Sequence, residues 1–158
     1  MFRRVNLKTL FFSFFPVYLT AFLGGIFTSS QVNSDWYQSV RLSITPPNWV
    51  FPLVWNILFF LIALSLYLSL TKTNDKIART KIRLAFGVNL FLNLSWSFLF
   101  FYSQNPVFAL FDLALLWISI LFMIYVTWGV SKISSYLLIP YSMWIGFAGI
   151  LNYLIVFG

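Results

Sequence analysis

Five apolar stretches fill most of this chain, at about residues 9–28, 49–70, 84–102, 107–130 and 136–157. Each has about 19–24 residues, and a helix needs about 20 to cross the hydrocarbon of a bilayer. Asp112 is the one ionisable residue well inside any of them. Lipid offers backbone N–H and C=O groups no partners, so each stretch must satisfy its own hydrogen bonds as a helix. The alternation of period two that would mark a membrane barrel is absent. Charged residues make up 8% of the chain and hydrophobic ones 61%, far from the roughly one-quarter charged of a soluble domain. The expected fold is all-α: a single integral membrane domain over 1–158 with five transmembrane helices and a long first external loop. The apolar run after Arg3, Arg4 and Lys8 exceeds the roughly 7–15 residues of a signal-peptide core, so a retained first helix is expected.

The chain has no His, no Cys and no Glu, and its three acids are Asp35, Asp75 and Asp112. No Ser–His or Cys–His nucleophile pair can form, and no second acid lies near Asp112 for paired acid–base work. No metal site and no required cofactor are expected. The net charge of +7 does not suggest nucleic acid, because the cations gather at span ends rather than along one face.

Those cations set a topology. Arg3, Arg4 and Lys8 precede the first span, Lys72, Lys76, Arg79, Lys81 and Arg83 follow the second, and Lys132 follows the fourth. All nine fall on one side, against Arg41 alone on the other. In a prokaryotic cell membrane the positive-inside rule places the N-terminus inside and the C-terminus outside. Five spans do not divide into two equal halves, which argues against an inverted-repeat transporter.

With that orientation, polar and aromatic positions share a depth in the outer half. Trp55 lies about 9 Å below the outer end of the second span at 1.5 Å per residue. Asn89, Asn93, Trp96 and Phe100 form one helical stripe on the third span, and Trp144, Ala148 and Asn152 form another on the fifth. The plain reading is an interfacial aromatic belt with asparagines bonding neighbouring helices. Taken together, the positions suggest a pocket opening outward, roofed by loop 29–48 as a lid. A charged carboxylate facing lipid is costly, so Asp112 should face the interior, water or a partner. Either a structural hydrogen bond or direct ligand contact fits it.

The run Trp36-Tyr37, Thr45-Pro46-Pro47-Asn48-Trp49 and Trp55 resembles the translocator protein (TspO/MBR, peripheral benzodiazepine receptor) family. So do Asn93-Leu94-Ser95-Trp96-Ser97, Phe100-Phe101, Asp112, and Pro140-Tyr141 with Trp144, Phe147-Ala148 and Leu151-Asn152. The likeness runs in order over nearly the whole chain. It implies a five-helix bundle, commonly a homodimer. It also implies a pocket for tetrapyrroles such as protoporphyrin IX and for synthetic isoquinoline carboxamides and benzodiazepines. Carried over by position, the ligand-binding residues would be Tyr37, Pro47, Trp55, Phe59, Asn93, Trp96, Trp144 and Ala148. Trp55 and Trp144 match the tryptophans associated with porphyrin degradation in some bacterial members, and are the candidate catalytic pair. The family's cholesterol motif needs a basic residue after its Tyr. Here Leu151-Asn152-Tyr153 has none after it, so the motif gives cholesterol no support.

A porphyrin is a broad apolar disc with two propionates at one edge. Trp and Phe faces suit the disc. Asn93 and the Trp55 indole suit its orientation, and Arg41 is the candidate partner for a propionate. Without His or Cys, haem iron would have only Tyr or Met as axial ligands. The expected ligand is therefore a free-base tetrapyrrole, or a haem-related one held without strong ligation. Three functions follow in order: tetrapyrrole binding or sensing, light-dependent porphyrin degradation, and transport of a porphyrin or another apolar or anionic solute. Arg41→Ala should weaken protoporphyrin IX roughly tenfold, the scale of one charge-assisted hydrogen bond, and spare uncharged ligands. Equal porphyrin affinity in a binding titration would dismiss the Arg41 role.

Overall fold

The computed structural model describes residues 5–158, so Arg3 and Arg4 lie outside the described residues. Helix α1 spans Leu7–Gln31, α2 Asp35–Val40, α3 Val50–Lys72, α4 Lys76–Ser97, α5 Pro106–Trp128, α6 Lys132–Leu137 and α7 Ile139–Phe157. A π-helical turn, Phe98–Tyr102, continues α4. Five of the resulting helical runs are long and apolar enough to cross a membrane: α1, α3, α4 with its π turn, α5, and α6 with α7.

The helices begin where short polar side chains can close their free N–H groups. The Asn6 side chain accepts from Thr9 N at 3.0 Å, and the two Asp75 carboxylate oxygens accept from Ile77 N and Ala78 N, each at 3.1 Å. Asn105 accepts from Phe108 N at 3.1 Å, with Pro106 at the first position of α5, where no N–H is needed. Ser34 and Ser131 cap α2 and α6 in the same way. In the turn before α5, Gln104 adopts a φ of 52°, which lets the chain reverse between α4 and α5 within three residues.

Three boundaries differ from the sequence reading. Helix α4 starts at Lys76 rather than near residue 84. The basic link has good helix formers and an Asp75 cap, so it winds into the first turns of the span. The last span starts as α6 at Lys132 and breaks at Leu138, two residues before Pro140, whose ring excludes a normal helix interior. Loop 29–48 is partly helical: α1 runs on to Gln31, and α2 forms inside the loop.

Packing closes the bundle into a ring. Helix α1 lies against α3 and α4, α5 against α4 and α7, and α3 against α6. Gly24 of α1 lets Ser97 of α4 approach; a Cβ there would sit 3.3 Å from the Ser97 hydroxyl. Arg79 donates to the Leu70 and Thr73 carbonyls, closing the end of α3 next to the basic link.

The interior is joined by side-chain hydrogen bonds as well as packing. Asn89 Nδ2 of α4 donates to Ser119 Oγ of α5 at 2.8 Å. The Tyr141 hydroxyl of α7 donates to Asn89 Oδ1 at 3.2 Å and accepts from Asn93 Nδ2 at 2.9 Å. One turn outward, Trp96 Nε1 donates to Asn152 Oδ1 at 3.4 Å, and Asn152 Nδ2 donates to the Pro106 carbonyl at 2.8 Å. Near the opposite end, Ser65 Oγ of α3 donates to the Ser134 carbonyl of α6 at 2.8 Å. Tyr141, Asn89 and Asn152 are almost wholly buried.

Tyr141→Phe removes a hydroxyl that serves both Asn89 and Asn93. It should destabilise the protein by about 1–2 kcal/mol, at the upper end of interhelical hydrogen bonds in membranes. Denaturation in mixed micelles measures this against Trp128→Phe on the exposed wall, which should change stability by less than about 0.5 kcal/mol.

Candidate functional site

The bundle end that carries α2 gathers most of the residues singled out from sequence. Trp55 of α3 is half-buried and stacks on Phe59, one helical turn deeper, with ring centroids 5.2 Å apart. Its other neighbour is the edge of Tyr141, at 6.2 Å. From α4, Trp96 stacks on Phe100 at 5.4 Å and meets Phe101 edge-on at 5.9 Å. From α7, Trp144 meets Phe51 of α3 at 5.8 Å and Phe147 at the same distance. Phe59 belongs to the main core, and Trp55, Trp96, Trp144 and Ala148 pack against that core as partly buried side chains. Aromatic side chains from three helices thus pack against the same apolar core.

The loop above is built to lie on this region. Tyr37 of α2 is buried against Phe101 at 5.5 Å, and its neighbour Trp36 meets Phe100 edge-on at 5.6 Å. Trp96 packs against both the main core and this second cluster, so the loop and the bundle share one side chain. Burial pushes the Tyr37 phenol above its ordinary value, and the nearby Arg41 charge opposes that rise. Tyr37 therefore stays a neutral hydroxyl at physiological pH.

Not every sequence candidate joins the cluster. Arg41 turns back onto its own loop, with Nη2 donating to the Pro46 carbonyl at 3.1 Å. Pro47 is exposed. The Asn93 amide nitrogen is taken by Tyr141, so its interior bond to α7 coexists with any ligand role. Asp112 is 9% exposed and makes no hydrogen bond among the described residues; its Oδ2 is enclosed without a partner there.

Tyr141 is the site residue that spacing had not placed. It touches Trp55, binds both stripe asparagines of α4, and is 0% exposed. The signal was in the sequence: Tyr141, Trp144, Ala148 and Asn152 follow steps of three, four and four, one face of a helix. Phe51 and Phe147 also join, but nothing distinguishes them from other phenylalanines in a chain that has 20.

The TspO/MBR family matches residues 12–157. The chain belongs to this family. Among relatives, the "Tryptophan-rich protein TspO" of Archaeoglobus fulgidus is 38% identical over 154 residues, covering 96% of this chain and 97% of that one. The protein of the same name from Chlorobaculum tepidum is 39% identical over 137 residues, 85% of each chain. A more distant relative, 27% identical over 122 residues and covering 75% of this chain and 73% of its own, is the "Tryptophan-rich sensory protein" of Cereibacter sphaeroides. Family membership and the five apolar helices make this chain a multi-pass integral membrane protein. The aromatic region is therefore set in a TspO/MBR bundle, at the end away from the lysine-rich links.

Proposed function

We propose that the protein binds and senses a tetrapyrrole of the protoporphyrin IX type at the aromatic region roofed by α2. The observation that carries this is that Trp55 with Phe59, Trp96, and Trp144 with Ala148 pack against one apolar core from three helices, with Trp96 also meeting the cluster under α2. Such surfaces suit a flat apolar disc, since ring contacts add about 0.5–1.5 kcal/mol each beyond area burial. The few polar groups nearby suit an orienting role. Tyr37 brings a neutral hydroxyl, Arg41 brings the one cation of the outer loop, and Asn48 of the same loop holds a buried Oδ1 without a partner. The name of the Cereibacter sphaeroides relative supports a sensory role.

In this reading the cation-rich links face the inside of a prokaryotic cell and the α2 loop faces outward. The ligand enters beneath α2, which rests on Phe100 and Phe101 and must lift to admit it. The half-buried tryptophans then exchange contacts with Phe59, Tyr141 and Phe51 for contacts with the ligand. A homodimer belongs to the same reading and leaves each chain's aromatic region intact.

Titrating purified protein with protoporphyrin IX in the dark should quench tryptophan fluorescence saturably, at about one ligand per chain. Trp55→Phe with Trp144→Phe should weaken binding by about tenfold or more, from two lost indole contacts of roughly 1 kcal/mol each. Quenching that never saturates, or full affinity in the double variant, would reject the site.

A further inference from the structure

We infer that the protein has a second, lipid-facing site, in which Asp112 holds the ammonium head of a lipophilic amine. Asp112 lies on the α5 face that meets α4, two turns outward from Ser119, which accepts from Asn89 at 2.8 Å. Ser119 has a polar partner across this interface; among the described residues Asp112 has none. It is 9% exposed, and its Oδ2 is enclosed with no donor in reach. A groove of about 390 Å³ opens beside it, lined by Phe27, Leu94, Ser95, Phe98, Leu99 and Asp112. Those residues come from α1, α4 and α5, and the groove lies along the outer wall of α4.

The backbone of α4 changes at the same place. Phe98 N is shared between the Leu94 and Ser95 carbonyls, and Phe98 begins the π turn that ends at Tyr102. Ser103 N reaches back five residues to the Phe98 carbonyl at 2.8 Å. A π turn inside a membrane helix widens it locally, and such turns often mark sites of function. Here it widens α4 where the groove meets the carboxylate.

The lining selects the occupant. Four of its six residues are apolar, so most of a ligand must be hydrocarbon, arriving from the bilayer. The polar part of the lining is Asp112 and Ser95. An unpaired carboxylate at this depth is best offset by a group that brings both positive charge and N–H donors. A primary ammonium on an alkyl chain has both, and its hydrogens can serve the Asp112 carboxylate from its Oδ1 side, the oxygen that is not enclosed, and the Ser95 hydroxyl that lines the same groove. An anionic head would be repelled, so a porphyrin propionate does not fit here. Of the lining residues, Leu99 alone also packs against the Tyr37, Phe100 and Phe101 cluster, and Asp112 takes no part in the aromatic region, so this inference does not rest on tetrapyrrole binding.

Native mass spectrometry from neutral maltoside micelles tests it, with dodecylamine as probe and dodecanol and dodecanoate as comparisons. The wild-type chain should retain one dodecylamine, with dodecanol and dodecanoate held about tenfold more weakly or worse. Asp112→Asn should lose amine binding by a similar factor. Ser95→Leu, which fills the groove and keeps the carboxylate, should also lose it at an unchanged melting temperature. If Asp112→Asn fails to fold, the Ser95→Leu result decides. Dodecanol held as tightly as the amine, or full amine binding in either folded variant, would overturn the site. So would a wild-type chain that retains no amine. Retention of amine by the Trp55→Phe, Trp144→Phe variant would separate this groove from the aromatic region.

Discussion

The shared hydroxyl of Tyr141 organises the interior. Lipid gives helices no hydrophobic reason to associate with one another, since acyl tails are as apolar as leucine. Shape packing and interior hydrogen bonds must hold the bundle. Tyr141 gives its proton to Asn89 and receives one from Asn93, and Asn89 passes the contact on to Ser119. One chain of polar groups thus ties α7, α4 and α5 at mid-bundle. A turn outward, Asn152 links Trp96 to the carbonyl of Pro106. Both links join the same three helices, so rotation of any one about its axis would break several bonds together.

The aromatic region inherits its geometry from that arrangement. Trp96 sits one turn beyond Asn93 and is fixed by Asn152. Trp144 sits one turn beyond Tyr141 on the same helix, and Trp55 rests on the Tyr141 ring. The rings are therefore positioned by buried hydrogen bonds rather than by ring–ring contact alone. The α2 loop is held differently. It meets the bundle through Tyr37 on Phe101 and Trp36 on Phe100, with a loop-internal Arg41 bond, and the inter-element hydrogen bonds of the core do not extend to it. A roof held by aromatic contact can lift while the floor stays rigid, as the proposed tetrapyrrole site requires.

The fold was legible because its solvent is lipid. Hydropathy and length fix five crossings, and the lopsided cations pair the ends of the helices. The structure agrees, with Asn6 beside Tyr67 at one end and Gln31 beside Gln104 at the other. The stripe of Asn89, Asn93 and Trp96 was readable from helical spacing, as was that of Trp144 and Asn152. The identity of their partners was not. Periodicity places a residue on a face, while the neighbouring helix and register are set by packing, so Tyr141 as the common partner of both asparagines emerged only in three dimensions. The start of α4 at Lys76 was hidden because hydropathy marks where lipid begins, whereas helices continue past it wherever a cap such as Asp75 allows. Asp112 was conspicuous as a charge in a span; its lack of a partner among the described residues depended on the shape of the α4 wall.

The account turns on whether indoles from three separate helices face one shared space beneath α2. Fluorine NMR of protein labelled with 5-fluorotryptophan reads all seven Trp residues at once, assigned by single Trp-to-Phe replacements. On adding protoporphyrin IX in the dark, Trp55, Trp96 and Trp144 should shift or broaden together along one saturation curve. Trp117 and Trp128, on the outer wall, should stay where they are. Perturbation led by Trp117 or Trp128, or three core signals that respond at unrelated concentrations, would contradict a common site.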